Sequence, residues 1–189
     1  MGAILTQSTS WKNVEKAIDH LKMAKVFHPR AMRAIPVQRL ERLIRSCGFF
    51  RQKAGRLKGF VSFLFKRYRG EVGILFSMPL GKLRKELLSL KGLGPETVDS
   101  ILLYGGGKKS FVVDAYTLRI GHRAGLFSSD RYEEVREIFQ RALPPSPKVY
   151  KEFHALLVCL AKSHCHKRNP LCLSCPLKEE CLFARKSEG

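Results

Sequence analysis

The chain has 189 residues, 44% of them hydrophobic, enough to bury a core as one large domain or two small ones, and this excludes a disordered chain. Its 35 Lys and Arg against 16 Asp and Glu give a formal charge of +19, a balance suited to binding polyanions. It opens without a signal-peptide pattern and contains no apolar run of membrane-spanning length, so a soluble intracellular protein is expected rather than a secreted disulfide scaffold.

In chain order, apolar residues recur at helical spacing: Val14, Ala17, Ile18 and Leu21; then Val37, Leu40, Ile44 and Cys47; then Leu57, Val61, Leu64 and Tyr68. Two-residue alternation is nowhere sustained, so the fold class is all-α. Pro36, Pro79 and Pro95 each precede a helical pattern, where a first-turn position tolerates the missing amide proton. Trp11, the only tryptophan, is expected in the core, and so are Cys47 and Cys159, which lie in helical apolar patterns. The stretch containing Arg51, Lys53, Arg56, Lys58, Lys66, Arg67 and Arg69 has no acid and is expected to attract phosphate by charge alone. Residues 1–110 carry a net charge of +15 and residues 111–189 only +4, so most of the electrostatic footprint belongs to the first part.

Between helices expected at about 79–89 and 95–104 lies Leu90-Lys91-Gly92-Leu93-Gly94-Pro95, which reads as a helix-hairpin-helix. Glycine permits positive φ and close backbone approach, so amides of the turn and of the second helix's start can face one phosphate oxygen, without reading sequence. A tight helical turn with a glycine cap is the plainer alternative. The flexible basic connection Gly105-Gly106-Gly107-Lys108-Lys109 leads to Phe111-Val112-Val113-Asp114, where Asp114 ends an apolar run and by itself suits a helix N-cap. Helices are expected at 114–125, 131–142 and 148–163, with Pro144-Pro145-Ser146-Pro147 forcing a loop between the last two. Near the end, Cys165, Cys172, Cys175 and Cys181 form the pattern C-x6-C-x2-C-x5-C, compact enough to enclose one metal centre, either zinc or iron–sulfur.

The hairpin LxGLGxxT, the apolar-apolar-Asp after it and the four-cysteine tail together resemble the endonuclease III branch of the HhH-GPD DNA glycosylases along nearly the whole chain. That resemblance implies two helical lobes, a helix-hairpin-helix barrel domain at 1–110 and a cluster domain at 111–189, with the active site in the cleft between them. It implies a [4Fe–4S] cluster on Cys165, Cys172, Cys175 and Cys181, and it assigns the catalytic carboxylate to Asp114. A carboxylate there can stabilise the positive charge that develops at the anomeric carbon of a flipped nucleotide, or deprotonate the attacking water. Burial against Val112 and Val113 is expected to raise its pKa.

Bifunctional members carry a lysine where this chain has Glu96, and a carboxylate cannot form a Schiff base, so a monofunctional glycosylase is expected. The missing lysine, with Leu5 to Ala17 and Phe111 to Thr117, looks like the 3-methyladenine glycosylases of the endonuclease III type, which makes an alkylated purine the leading substrate. The resemblance places Gln7 where family members fill the space left by the flipped base, and gives Trp11 a place lining the base pocket if it is not core. It also implies DNA-backbone contacts for Lys91, Gly92, Leu93, Gly94, Glu96 and Thr97 of the hairpin and for Lys167 and Arg168 of the loop between the first two cysteines. Duplex DNA with a damaged base is the expected partner and a monomer the expected state. Family members have additional helix before Met1, so an N-terminal segment is expected to be missing. The alternatives are an endonuclease III-like glycosylase and lyase for oxidised pyrimidines, a uracil or thymine mismatch glycosylase, a non-catalytic DNA-binding module with structural zinc, and a redox protein.

Overall fold

A computed structural model describes residues Met1–Lys186; it is helical throughout, with no strand among the described residues and no helix long and apolar enough to cross a membrane. The chain forms two compact units, one ending at Ile101 and the next beginning at Leu102.

The first unit contains α1 (Gly2–Leu5), α2 (Trp11–Met23), α3 (Pro29–Ala34), α4 (Val37–Leu43), a 3-10 turn at Arg45–Cys47, α5 (Phe50–Tyr68), α6 (Val72–Ser77), α7 (Leu80–Leu88) and α8 (Pro95–Ser100). The 19-residue α5 is the axis, packed by α1, α3, α4 and α6. Its inward stripe, Ala54, Leu57, Val61, Leu64 and Tyr68, follows the helical period read in the sequence.

Lys53 corrects the expected phosphate surface. It is fully buried, and its Nζ donates to the carbonyls of Leu5 at 2.9 Å and Cys47 at 2.7 Å. Those are the last carbonyls of α1 and of the 3-10 turn, acceptors with no partner further along a helix, so the ammonium satisfies them and faces the negative ends of both. Lys58 caps α3 in the same way, donating to Arg33 at 2.9 Å and to Ile35. Arg51, Lys66, Arg67 and Arg69 remain exposed.

Trp11 is also not a core residue: it is 49% exposed. It keeps phase with Val14, Ala17 and Leu21 but stands at the first position of α2, where the short α1 covers only part of the ring, near Gly2. Pro36 and Pro79 stand one position earlier than expected, as N-caps of α4 and α7, whereas Pro95 takes the first-turn position of α8. The α7 and α8 pair is clamped by Arg84, whose Nε and Nη2 donate to the two carboxylate oxygens of Asp99 at 2.8 and 2.9 Å. Asp99 is 0% exposed. Deleting one partner of such a pair would strand a buried charge at a cost of about 3–5 kcal/mol, so this clamp fixes the hairpin angle.

The second hairpin helix does not run to residue 104 as an α-helix. It widens into a π turn over Ile101–Gly105, after which the carbonyl of Leu102 accepts from both Gly106 at 3.2 Å and Lys108 at 2.9 Å. The second unit continues with α9 (Ala115–Ala124), α10 (Tyr132–Ala142), α11 (Pro147–Ser163), 3-10 turns at Cys172–Ser174 and Lys178–Glu180, and α12 (Leu182–Lys186). Its core joins Leu103, Phe111, Val112, Val113, Ile120, Val135, Phe139, Tyr150, Leu157 and Ala161, with Phe111 stacked on Phe139 at 4.6 Å. Cys47 is buried as expected, but Cys159 is exposed. The inward stripe of α11 is Tyr150, Leu157 and Ala161, and Cys159 falls on the opposite side with Leu156, which is 61% exposed.

Candidate active site and cysteine loop

Asp114 is the N-cap of α9, and both its local bonds come from one residue: the amide and hydroxyl of buried Thr117 donate to Oδ1 at 2.7 and 2.9 Å. The side chain is 15% exposed, and its second oxygen, Oδ2, lies 3.4 Å from Nε2 of His154 on α11. Burial pushes the carboxyl up, but the His154 ring and the two Thr117 donors pull harder, so Asp114 sits below its ordinary value of 3.8. This reverses the expected raised pKa: Val112 and Val113 are buried beside it, but hydrogen-bond donors outweigh their apolar surroundings. The cap and the catalytic candidate are therefore one carboxylate, ionised at neutral pH. His154 stands between Tyr150 and Leu157 on the inward stripe of α11, where sequence reading treats a histidine as packing; a polar residue at a core-facing position was the signal that could have found it.

The hairpin residues are arranged within the first unit. Gly92 has φ +84°, and a Cβ there would lie 2.5 Å from Nε of Arg56, so glycine is required both by the turn and by the arginine across it. Gly94 is the N-cap of α8, Leu93 and Thr97 are buried, and Lys91 and Glu96 are exposed, Glu96 in the first turn of α8. Gln7 is brought onto this turn by its own amide: Nε2 donates to the Gly92 carbonyl at 3.1 Å and to Thr97 Oγ1 at 2.8 Å, while Oε1 accepts from Arg56 Nη1 at 2.5 Å. Trp11 is not part of that network; its ring lies near Gly2. The sequence reading missed Phe49, which is 63% exposed with φ +43° at the start of α5. With Gln7, Ser8, Gln52, Lys53 and Arg56 it lines a cavity of about 130 Å³. An aromatic directly after Gly48 in a basic stretch was the available signal.

The four tail cysteines are free and half-buried. The Cys172 thiol is pushed up by burial, and further by the charges of Cys181, Cys175 and Cys165, so each of those three sulfurs lies within electrostatic reach of it. Among the described residues no three His, Cys, Asp or Glu are gathered as closely as a formed metal site requires. The donor set nonetheless suits a cationic centre, because thiolates that repel one another are relieved only by positive charge. Two arginines of α9 hold this loop: Arg119 Nε donates to the Cys165 carbonyl at 2.9 Å, and Arg123 reaches the Cys165 sulfur at 3.2 Å and the His166 and Lys167 carbonyls at 2.7 and 3.2 Å. Lys167 and Arg168 are exposed on it. One helix thus carries the Asp114 carboxylate at its start and anchors the cysteine loop near its end.

Residues 1–145 match the family described as HhH-GPD superfamily base excision DNA repair protein. A Methanocaldococcus jannaschii protein provisionally named a DNA repair glycosylase is 46% identical over 96% of this chain and 83% of its own length. Endonuclease III of Thermotoga maritima is 30% identical over 98% of this chain and 82% of its own. Among solved structures, a non-covalent endonuclease III–DNA complex superposes with a TM-score of 0.82 at 26% identity, covering 99% of this chain and 83% of that one. The Helicobacter pylori 3-methyladenine DNA glycosylase bound to 1,N6-ethenoadenine gives 0.78 at 26% identity over 85% and 82%.

Proposed function

This chain belongs to the HhH-GPD superfamily of base-excision DNA repair proteins and is a DNA glycosylase close to endonuclease III, and from that premise we propose that it removes alkylated purines such as 3-methyladenine by hydrolysis alone. The observation that carries the reading is the Asp114 carboxylate, shielded from solvent yet held below its ordinary pKa by His154 and Thr117. A carboxylate this weakly basic is poorly suited to pulling a proton from water and well suited to standing ionised beside the positive charge that grows on the sugar as the base departs. Of the two roles open to it, charge stabilisation fits better. An alkylated purine already carries a positive charge that weakens its glycosidic bond, so its release needs little beyond this carboxylate and an aromatic surface to stack on.

In the same reading, amides around Lys91, Gly92, Leu93 and Gly94, with Glu96 and Thr97 at the start of α8, meet a backbone phosphate, and Gln7 fills the space the flipped base leaves. Lys167 and Arg168 add backbone contacts from the cysteine loop. Cys165, Cys172, Cys175 and Cys181 would hold a [4Fe–4S] cluster, which when bound supplies a fixed cross-link for that loop. Substrate class is tested with duplexes carrying 3-methyladenine, 7-methylguanine, uracil opposite guanine or thymine glycol. Fastest release of 3-methyladenine is the expected result. Fastest action on thymine glycol or on uracil would move the protein to the oxidised-pyrimidine or mismatch class.

A further inference from the structure

On the inward stripe of α11, His154 has a geometry that simple packing does not require. Its Nε2 is buried without a formed hydrogen bond among the described residues, and it faces Oδ2 of Asp114 at 3.4 Å. Its other nitrogen, Nδ1, lies 2.7 Å from the hydroxyl of Tyr104. Tyr104 belongs to the π turn at Ile101–Gly105, and such turns re-aim the residues they carry. Tyr104 is 48% exposed, and partial burial first and then the Asp114 charge push its phenol up to about 12, so at neutral pH it keeps its proton and can donate it to Nδ1. An imidazole that accepts at Nδ1 carries its own proton on Nε2, the nitrogen that faces the carboxylate. The buried Phe111 ring lies 6.5 Å from the imidazole and nearly perpendicular to it.

We propose that His154 is a positioning residue for Asp114, and that Tyr104 selects the imidazole tautomer whose Nε2–H faces the carboxylate. The inference rests on the reading of Asp114 as the catalytic carboxylate. The titratable groups facing Asp114 are His154 from α11 and Tyr104 from the π turn; its own helix contributes the uncharged Thr117. Loss of the imidazole removes a group that holds the carboxyl down, so the Asp114 pKa rises. As pH falls, the charge is then lost sooner, and the acid limb of base release moves to higher pH.

His154→Phe is therefore expected to lower the single-turnover rate on the order of tenfold to a hundredfold, with that limb displaced upward and affinity for an abasic-analogue duplex unchanged. His154→Gln, which keeps a donor where Nε2 stood, should recover much of the rate. Nitrogen-15 NMR of the parent should show the Nε2–H tautomer, and Tyr104→Phe should release it toward a mixture. An Nδ1–H tautomer in the parent overturns the proposal even if His154→Phe does not fold. A folded His154→Phe with parental rate and acid limb overturns it as well. If Asp114→Asn is inactive while His154→Phe is normal, this inference fails alone; if Asp114→Asn is fully active, the reading beneath it fails.

Discussion

Duplex DNA from which this protein has released a base should stay unbroken until alkali is added, and borohydride should trap no protein–DNA adduct. The reaction that nicks the strand needs an amine that attacks the sugar and forms an imine, and the resemblance to endonuclease III puts Glu96 where that amine would stand. Glu96 is exposed in the first turn of α8, where a carboxylate complements the helix dipole but offers no nucleophile. The buried amine nearest to a cavity is Lys53, and its ammonium is engaged by the carbonyls of Leu5 and Cys47. Glu96→Lys is expected to turn the parent's all-or-none dependence on alkali into measurable cleavage without it. Strand breaks or a trapped adduct with the parent protein would overturn the hydrolytic assignment.

Cys175→Ser should cost the second unit its metal centre. Purified parent protein is expected to contain iron and acid-labile sulfide and to absorb visible light; the variant should lose most of both and bind undamaged duplex more weakly. The weakening follows because Lys167 and Arg168 lie on the loop between Cys165 and Cys172, and binding of a metal centre to four thiolates supplies folding free energy for such loops. Arg119 and Arg123 hold the carbonyls of Cys165, His166 and Lys167, so the start of the loop should keep its place while the segment around Cys172 and Cys175 loosens. Zinc without iron in the parent would contradict the cluster assignment, and full iron content in Cys175→Ser would remove that residue from the ligand set.

What could be read in the sequence was what repeats at short range. The stripes through α2 and α5, the proline starts and the glycine turn each depend on neighbours a few residues away, and α9, α10 and α11 lie within one residue of the expected bounds. What escaped depends on partners far along the chain. Lys53 looks like any other cation in its basic stretch until Leu5, 48 positions earlier, supplies a carbonyl. The lowered pKa of Asp114 requires His154, and sequence reading assigned only its apolar neighbours. Cys159 and Trp11 show the limit of periodicity: one stands among apolar residues but on the side of α11 opposite its inward stripe, and the other is in phase but at a helix start with too little to cover it.

The most direct test of the central claim is Asp114→Asn, with base release and binding to an abasic-analogue duplex measured on the same preparation. Asparagine caps a helix about as well as aspartate and can still accept from the Thr117 amide, so α9 should stay formed and the change isolates the charge. With the carboxylate as the group that stabilises the developing cation, base release should fall by about 10²–10³-fold or more while duplex affinity stays within about twofold. Release at the parental rate would show that the bond breaks without the Asp114 charge.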